Sequence, residues 1–337
     1  MSIIKYIVKR IIALLPVLAG VLILTFVLSR GMPGDPVAAY LTYPDPEIYQ
    51  YYRRLLWLDR PIIQQFFKYI SDVFSGNWGR SVSINNGQDV WQLIMQRLPR
   101  TIDLALFSII LASFLGIKTG VISSKNRNNA KDTTLRGIAL IGVAMPIFFL
   151  AVLLQWVFCY VIPIFPATGF KDMRYKDPKF ITGFRLIDAL LDGKIYIIGD
   201  YLYHLALPVL CLAFITLAGI ARHTRSSMLE VLELDYIRTA RAKGCVEKDV
   251  IKSHALRNSL IPTTTVIGLS LTNLIGGAVL AEVSFSLNGL GHLLLRAILL
   301  ADYWVLNAIV FLLAIIFVFI NLAVDIFYGI LDPRIRY

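Results

Sequence analysis

Charge is what this chain has least of. Only 16% of its 337 residues are Asp, Glu, Lys or Arg, against about 25% in ordinary soluble proteins. The whole chain is 57% hydrophobic, with a mean hydropathy of +0.68, which points to a membrane. Cysteine is scarce too. Cys159 and Cys211 lie inside apolar runs and Cys245 stands beside a turn, so neither a disulfide framework nor a CxxC metal pattern is written here. The histidines, His204, His223, His254 and His292, are scattered through different regions, and no metal site is expected. Also missing are a GxxxxGK loop followed by Ser or Thr, HExxH and GxSxG. The chain is therefore expected not to be an enzyme and to bind no cofactor. If its task consumes ATP, another chain must hydrolyse it.

What is present is a series of apolar runs near the ~20 residues that cross a bilayer. Six emerge, at about 9–30, 100–122, 138–161, 204–223, 263–283 and 305–329. The first follows Lys5, Lys9 and Arg10 but lacks a small-residue cleavage site, so it reads as an uncleaved span. Pro146 and Pro208 should kink the third and fourth. The formal net charge of +11 is explained by topology rather than by a nucleic-acid partner. Lys and Arg concentrate in the N-terminus, in 123–136, in a central polar island and at the C-terminus. The intervening segments balance their bases with acids. By the positive-inside rule the first set, and with it both termini, is cytoplasmic. The expected class is an all-α, multi-pass membrane protein.

The division follows: residues 1–30 hold the N-terminus and first span, 31–99 an external helical segment, and 100–337 a five-helix core. The external segment shows helical patterns at 46–58, 61–74 and 88–97 and is dense in Tyr, Trp and Phe. Such rings commonly sit at the membrane interface, and the segment as a whole can also dock an external partner. A short amphipathic helix is expected at 180–191, and Gly289 and Gly291 precede a half-helix that re-enters the bundle. Ionisable residues inside spans mark function by default. Asp103, Lys118 and Asp325 are the cases here, each near a span end, where Lys118 can snorkel and Asp325 reads as a partner for backbone or a neighbouring Arg rather than a proton relay. The small-residue run GLSLTNLIGGAVLAEV suits close helix packing or a pore lining. Within it Ser270, Asn273 and Gly276 are candidates for a translocation path.

The central island, about 224–262, contains DYIRTARAKGCVEKDVIKSHALRNSLIP from Asp235 to Pro262. Its first half reads as one helix from Ser226 to Lys243, with acids early and bases late, as the helix dipole favours. Gly244 stands where a helix end wants a positive φ. A second short helix follows, and Pro262 is expected to end it. A basic helix-turn-helix can bind DNA or lie on lipid headgroups, but apolar spans on both sides make this one a loop between two membrane crossings.

At this point the residues resemble a known family. The spacing of Gly244 and Pro262, with Arg238, Thr239 and Ala240 in the Glu-Ala-Ala places, is similar to the cytoplasmic EAA loop of ABC-importer permeases, in the dipeptide/oligopeptide branch. MPGDP (32–36), RLPRTIDLAL (97–106), MPIFF (145–149), TRSSMLEVL (224–232), GLG (289–291) and DIFYGILDPRIRY (325–337) extend the likeness over nearly the whole chain. One departure is Leu287-Asn288, where the family usually has Trp-Pro.

The resemblance implies a type I ABC-importer fold. It implies a second, homologous permease completing the translocation path, two ATPase subunits carrying ATP and Mg, and an external substrate-binding protein. The coupling surface would comprise Tyr236, Arg238, Thr239, Ala240, Arg241, Ala242, Lys243, Gly244 and Pro262. Acids on the ATPase would orient Arg238, Arg241 and Lys243, while Ala240 and Ala242 would permit close approach. Peptides are the expected cargo, with oligosaccharides, nickel chelates or glutathione as alternatives. An ion-coupled secondary transporter would instead need midplane carboxylates and inverted repeats, and neither stands out.

Overall fold

The computed structural model describes residues 3–31, 37, 45–55, 57–85 and 87–331. The motifs at 32–36 and 332–337 fall outside them. The described residues form helices and turns without a β-strand. In chain order the helices are α1 Ile3–Gly31, α2 Pro46–Leu55, α3 Ile62–Phe74, α4 Val90–Met95, α5 Leu98–Lys125, α6 Ala130–Ala144, α7 Ile147–Gln155, α8 Arg185–Leu191, α9 Ile195–Leu232, α10 Asp235–Ala242, α11 Glu247–Asp249, α12 Leu256–Ser284, α13 Leu290–Leu299 and α14 Tyr303–Leu331. A π-turn at Val250–Ala255 feeds α12, and another at Trp156–Val161 extends α7.

Four of these rods, built on α5, α9, α12 and α14, are long and apolar enough to cross a membrane alone. The pair α6 and α7 with its π-turn is apolar enough together but bent by 107°, the geometry of a broken span or of a re-entrant loop. The expected kinked third span is thus two helices nearly at right angles. The cause is local: Met145, preceding Pro146, is held extended at ψ 128°, the conformation that the proline ring imposes on its predecessor. Pro208, by contrast, is absorbed inside an unbroken α9. In α1, 29 residues long, the described side chains make a shorter apolar run, Leu15–Leu28. Of the six expected crossings, four are helices long and apolar enough to cross alone, five if the bent pair is one span, and the first is represented among the described residues only by this shorter run.

Lipid tails are as apolar as leucine, so helices in a bilayer associate through close packing rather than through hydrophobic expulsion from water. The centre of the bundle shows how. A Cβ on Gly120 of α5 would lie 2.6 Å from the Thr224 Cβ of α9, and one on Gly116 would lie 2.9 Å from the Ile220 Cβ. On α12, a Cβ at Gly268 would lie 2.5 Å from a Val324 methyl of α14. Around these approaches Leu104, Leu205, Leu212, Ile220, Leu274 and Phe285 join α5, α9 and α12 in one core.

Polar braces fix the span ends. Buried Asp302, just ahead of α14, accepts the Ser81 hydroxyl at 2.7 Å and the Val82 and Ser83 amides at 2.9 and 3.1 Å, seating the loop that leads into α4. The half-helix α13 is tied back by Glu282 of α12. The Glu282 Oε2 accepts the Gly291 and His292 amides at 2.7 and 3.1 Å, and Oε1 takes the Thr101 hydroxyl at 2.6 Å. Thr101 in turn accepts the Leu290 amide at 2.9 Å. The glycines before and inside α13 are required here: a Cβ on Gly289 would lie 2.4 Å from the Glu282 carboxyl carbon, and one on Gly291 would lie 2.4 Å from the Val279 Cα.

The departure at Leu287-Asn288 is conformational as well as chemical. Asn288 has φ 57°, which proline, locked near −65°, cannot adopt. Leu287 is buried in the core, and the Asn288 carbonyl accepts the Arg100 guanidinium at 3.0 Å.

Candidate functional site

The candidate site begins where α9 outgrows the membrane. At about 1.5 Å per residue, its 38 residues exceed the ~30 Å hydrocarbon thickness, so one end projects beyond the bilayer. Arg225 on that end grips Asp132 at the start of α6, with Nε–Oδ1 2.8 Å and Nη2–Oδ2 2.7 Å. The same fully buried carboxylate accepts the Ser123 hydroxyl of α5 and the Asn128 amide at 3.1 Å. One carboxylate thus holds α5, α6 and α9 together at their shared end.

The single helix expected over 226–243 is in fact two. It breaks at Glu233–Leu234, where Leu234 turns to φ −74°, ψ 150°, and α10 starts afresh at Asp235. Neither Gly nor Pro marks the break. Its cause is tertiary: turning α10 back lets Ile237 and Ala240 bury against Met228 of α9 and against Val250, Ile251 and Ala255 of the π-turn entering α12. Gly244 closes α10 at φ 80°, with its amide 2.9 Å from the Arg241 carbonyl and the Cys245 amide 3.2 Å from the Ala240 carbonyl, a helix stop that glycine permits without steric cost.

Most of the predicted surface is exposed: Tyr236, Arg238, Thr239, Arg241, Ala242, Lys243, Gly244 and every residue onward to Asp249. Ala240 is not, since it faces the apolar cluster and so cannot serve as a contact for close approach. Two of the three cations are already oriented within the chain. Arg241 binds Glu247 through Nε at 3.1 Å and Nη2 at 2.8 Å, which raises the arginine's pKa further, and Arg238 lies 3.2 Å from Asp235. The hydroxyl of Tyr236 accepts the Asn258 amide at 2.6 Å, bridging α10 to α12.

Pro262 does not end a helix. It lies inside α12, which runs on to Ser284, because a proline removes one N–H donor and the rest of a long ladder carries the chain past it. The site is therefore continuous at both ends: α9 enters it and α12 leaves it.

The path candidates fall together on α12. Asn273 and Gly276 are exposed and Ser270 is half-buried, interleaved with the buried Thr272, Leu274 and Ala278. Asp103, suspected from sequence, accepts the buried Tyr201 hydroxyl at 3.0 Å. Sequence reasoning passed over Glu282, Asp132 and Arg225. Glu282 had a visible signal, a carboxylate in an apolar run just before a glycine pair, whereas the Asp132–Arg225 pair had none. No cluster of three or more potential metal ligands occurs among the described residues.

Comparison with known proteins identifies the family. The family model for the binding-protein-dependent transport system inner membrane component matches residues 98–337, and that for its N-terminal part matches 3–105. The chain is 40% identical to the di/tripeptide transport system permease protein DppB of Pseudomonas aeruginosa, over 99% of both chains. It is 39% identical to the dipeptide transport system permease protein DppB of Escherichia coli, again over 99% of each. With the oligopeptide transport system permease protein AppB of Bacillus subtilis the identity is 37%, over 98% of this chain and 99% of that one. A chain of the inward-facing MetNI methionine ABC transporter shares the fold, with a TM-score of 0.56 at 18% identity over 72% of this chain and 97% of that one. With family models covering nearly every residue, the chain belongs to the binding-protein-dependent transport system inner membrane components, all-α permeases of the type I ABC-importer class.

Proposed function

We propose that this chain is one of two homologous permease subunits of an ATP-driven importer for di- and oligopeptides, set in a prokaryotic inner membrane with both termini cytoplasmic. An external binding protein delivers the peptide. Two ATPase subunits carry the ATP and Mg and hydrolyse the nucleotide, and one of them docks on α10 and the exposed turn through Cys245. The path between the two permeases includes Ser270, Asn273 and Gly276 of α12.

The observation that supports this reading best is the clamping of α10. Its buried edge touches both the projecting end of α9 and the root of α12, so a push on its exposed side displaces two spans together. Arg241 and Lys243, beside Gly244 on that exposed side, offer cations to an acidic partner groove. The cargo follows from full-length relatives named for di- and tripeptides and for oligopeptides.

The test is uptake of a labelled dipeptide by cells lacking the gene for this chain. Restoration by the wild-type chain, but not by Arg241→Glu with Lys243→Glu, supports the reading. Restored uptake in the doubly reversed variant overturns the docking role. Competition by an oligosaccharide, a nickel chelate or glutathione, but not by a second peptide, overturns the cargo.

A further inference from the structure

Helix α3, Ile62–Phe74, has three faces rather than two. At 100° per residue, Tyr69, Asp72 and Val73 fall on one side, where Asp72 and Val73 are buried and Tyr69 half-buried. That side packs on the bundle: the Tyr69 hydroxyl is 2.9 Å from the Thr25 hydroxyl of α1, the Phe66 and Phe26 rings are 5.1 Å apart, and Val73 joins Leu22 of α1 and Phe311 of α14 in a buried cluster. A second side, Gln64, Lys68 and Ser71, is polar, with Gln64 and Ser71 exposed. The third side is apolar and largely uncovered. Ile63 is 67% exposed, Phe67 64% and Phe74 78%, with half-buried Ile70 between them. Spacings of four, three and four residues keep these side chains on one stripe.

The contacts with α1 also fix depth. Going down α3, the partners on α1 run from Phe26 through Thr25 to Leu22. The apolar run of α1 ends at Leu28, six residues beyond Leu22, so Val73 lies about 9 Å inside it at 1.5 Å per residue. The second span agrees independently. Phe311 lies seven residues into α14 from Trp304, about 10 Å by the same rise, and its ring is 5.7 Å from that of Trp78, just past the end of α3. The C-terminal half of α3 is therefore not outside the bilayer.

We infer that α3 is an interfacial membrane helix, with Ile63, Phe67, Ile70 and Phe74 inserted among lipid acyl chains in the leaflet on the side of residues 45–95. Two further observations commit the stripe to lipid. It continues the lipid-level surface of α1, where Ile23, Leu24 and Val27 are likewise more than half exposed. The depth also matches the ~5–10 Å at which amphipathic helices seat their apolar face. Lys68 fits the arrangement, since its ammonium pairs with Asp72 and lies 6.0 Å over the Trp57 ring, away from the apolar stripe. The segment expected to be external is thus anchored from beside the bundle. The inference requires a membrane but no particular cargo.

The test uses the assembled transporter in phosphatidylethanolamine–phosphatidylglycerol vesicles. Cys159, Cys211 and Cys245 are replaced, and a nitroxide is placed singly at 64, 67, 71 or 74. Collision with oxygen, which concentrates in lipid, is compared with collision with a water-soluble nickel chelate. The oxygen-to-chelate ratio should be higher at 67 and 74 than at 64 and 71, and highest at 74. Equal chelate access at all four positions overturns the inference, because the stripe then faces water. Protection of 67 and 74 from both reagents overturns it too, because a protein then covers the stripe. Should labelled variants fail to assemble, Phe67→Trp and Phe74→Trp serve instead. Brominated lipid should quench the emission each adds, and unquenched emission refutes the seat.

Discussion

Cutting the brace between Arg225 and Asp132 separates stability from coupling. Asp132 is fully buried, and its carboxylate is satisfied by two guanidinium N–H groups at 2.8 and 2.7 Å, the Ser123 hydroxyl and the Asn128 amide. Removing one partner of a buried ion pair costs about 3–5 kcal/mol, because the other charge is left uncompensated. Arg225→Ala should fall at the lower end, about 3 kcal/mol, since two donors remain and the arginine is itself partly exposed. Arg225→Lys keeps the charge but loses the two-pronged geometry, and should cost about 1 kcal/mol. Pairing Arg225→Gln with Asp132→Asn replaces the ions by neutral amides and should recover part of the loss, a coupling read from the double-mutant cycle.

The functional consequence follows from position. Arg225 lies in the part of α9 that carries α10, and freeing it lets the stem swing without moving α5 and α6. In proteoliposomes holding the whole transporter, Arg225→Ala should hydrolyse ATP at near the wild-type rate and import less peptide per ATP. Thermal unfolding of the purified complex supplies the stability term. Wild-type stability together with wild-type peptide per ATP in Arg225→Ala would refute the reasoning.

Three further outcomes are expected. At Gly244 a Cβ would meet nothing within 4 Å, so a substitution carries only the cost of φ 80°, about 1–2 kcal/mol for an L-residue; Gly244→Val should insert normally yet import less peptide per ATP, and undiminished transport would exclude the turn from coupling. Glu282→Gln keeps the amide bonds only if its NH2 faces Thr101, whose hydroxyl must then accept where it donated. It should lower the complex's stability by about 2–3 kcal/mol and expose the Phe285–Gly291 turn to limited proteolysis. Asn288→Pro cannot hold φ 57° and should destabilise by at least ~2 kcal/mol, whereas Asn288→Gly should be neutral within about 1 kcal/mol, both read by thermal unfolding.

Much of this architecture is legible in the sequence because bilayer thickness and helix period are strong constraints. The apolar runs at 100–122 and 305–329 fall inside α5 and α14, and the patterns at 61–74 and 180–191 enclose α3 and α8. Gly244 is legible because positive φ at a helix end favours glycine. The readings that changed depend on contacts between remote residues. SSMLEVL continues into DYIRTARA with unbroken helical periodicity, and only the apolar pocket offered by Val250 and Ala255 shows why the chain turns at Leu234. Asp132 and Arg225 are 93 residues apart, a pairing that one sequence cannot display. Ser286, Asn288 and Ala301 take positive φ with no glycine to announce it.

Where the polar contacts lie bears on how such a bundle moves. Inside the bilayer the helices meet through glycines and methyls, at Gly116, Gly120 and Gly268, contacts that allow sliding and rocking because lipid competes for them on nearly equal terms. Directional bonds concentrate at the ends, although Thr272 of α12 also reaches Asn321 of α14 at 3.3 Å within the spans. Asp302 and Glu282 tie loops at one side of the membrane, and Asp132 with Arg225 ties three helices at the other. α10 is held differently, by apolar burial of Ile237 and Ala240 along one edge and by the Tyr236–Asn258 bond. A load on α10 therefore reaches α9 and α12 through packed side chains while the braced ends keep the rods in register. Under the proposed docking at α10, that division of labour favours tilting of intact helices over their local melting.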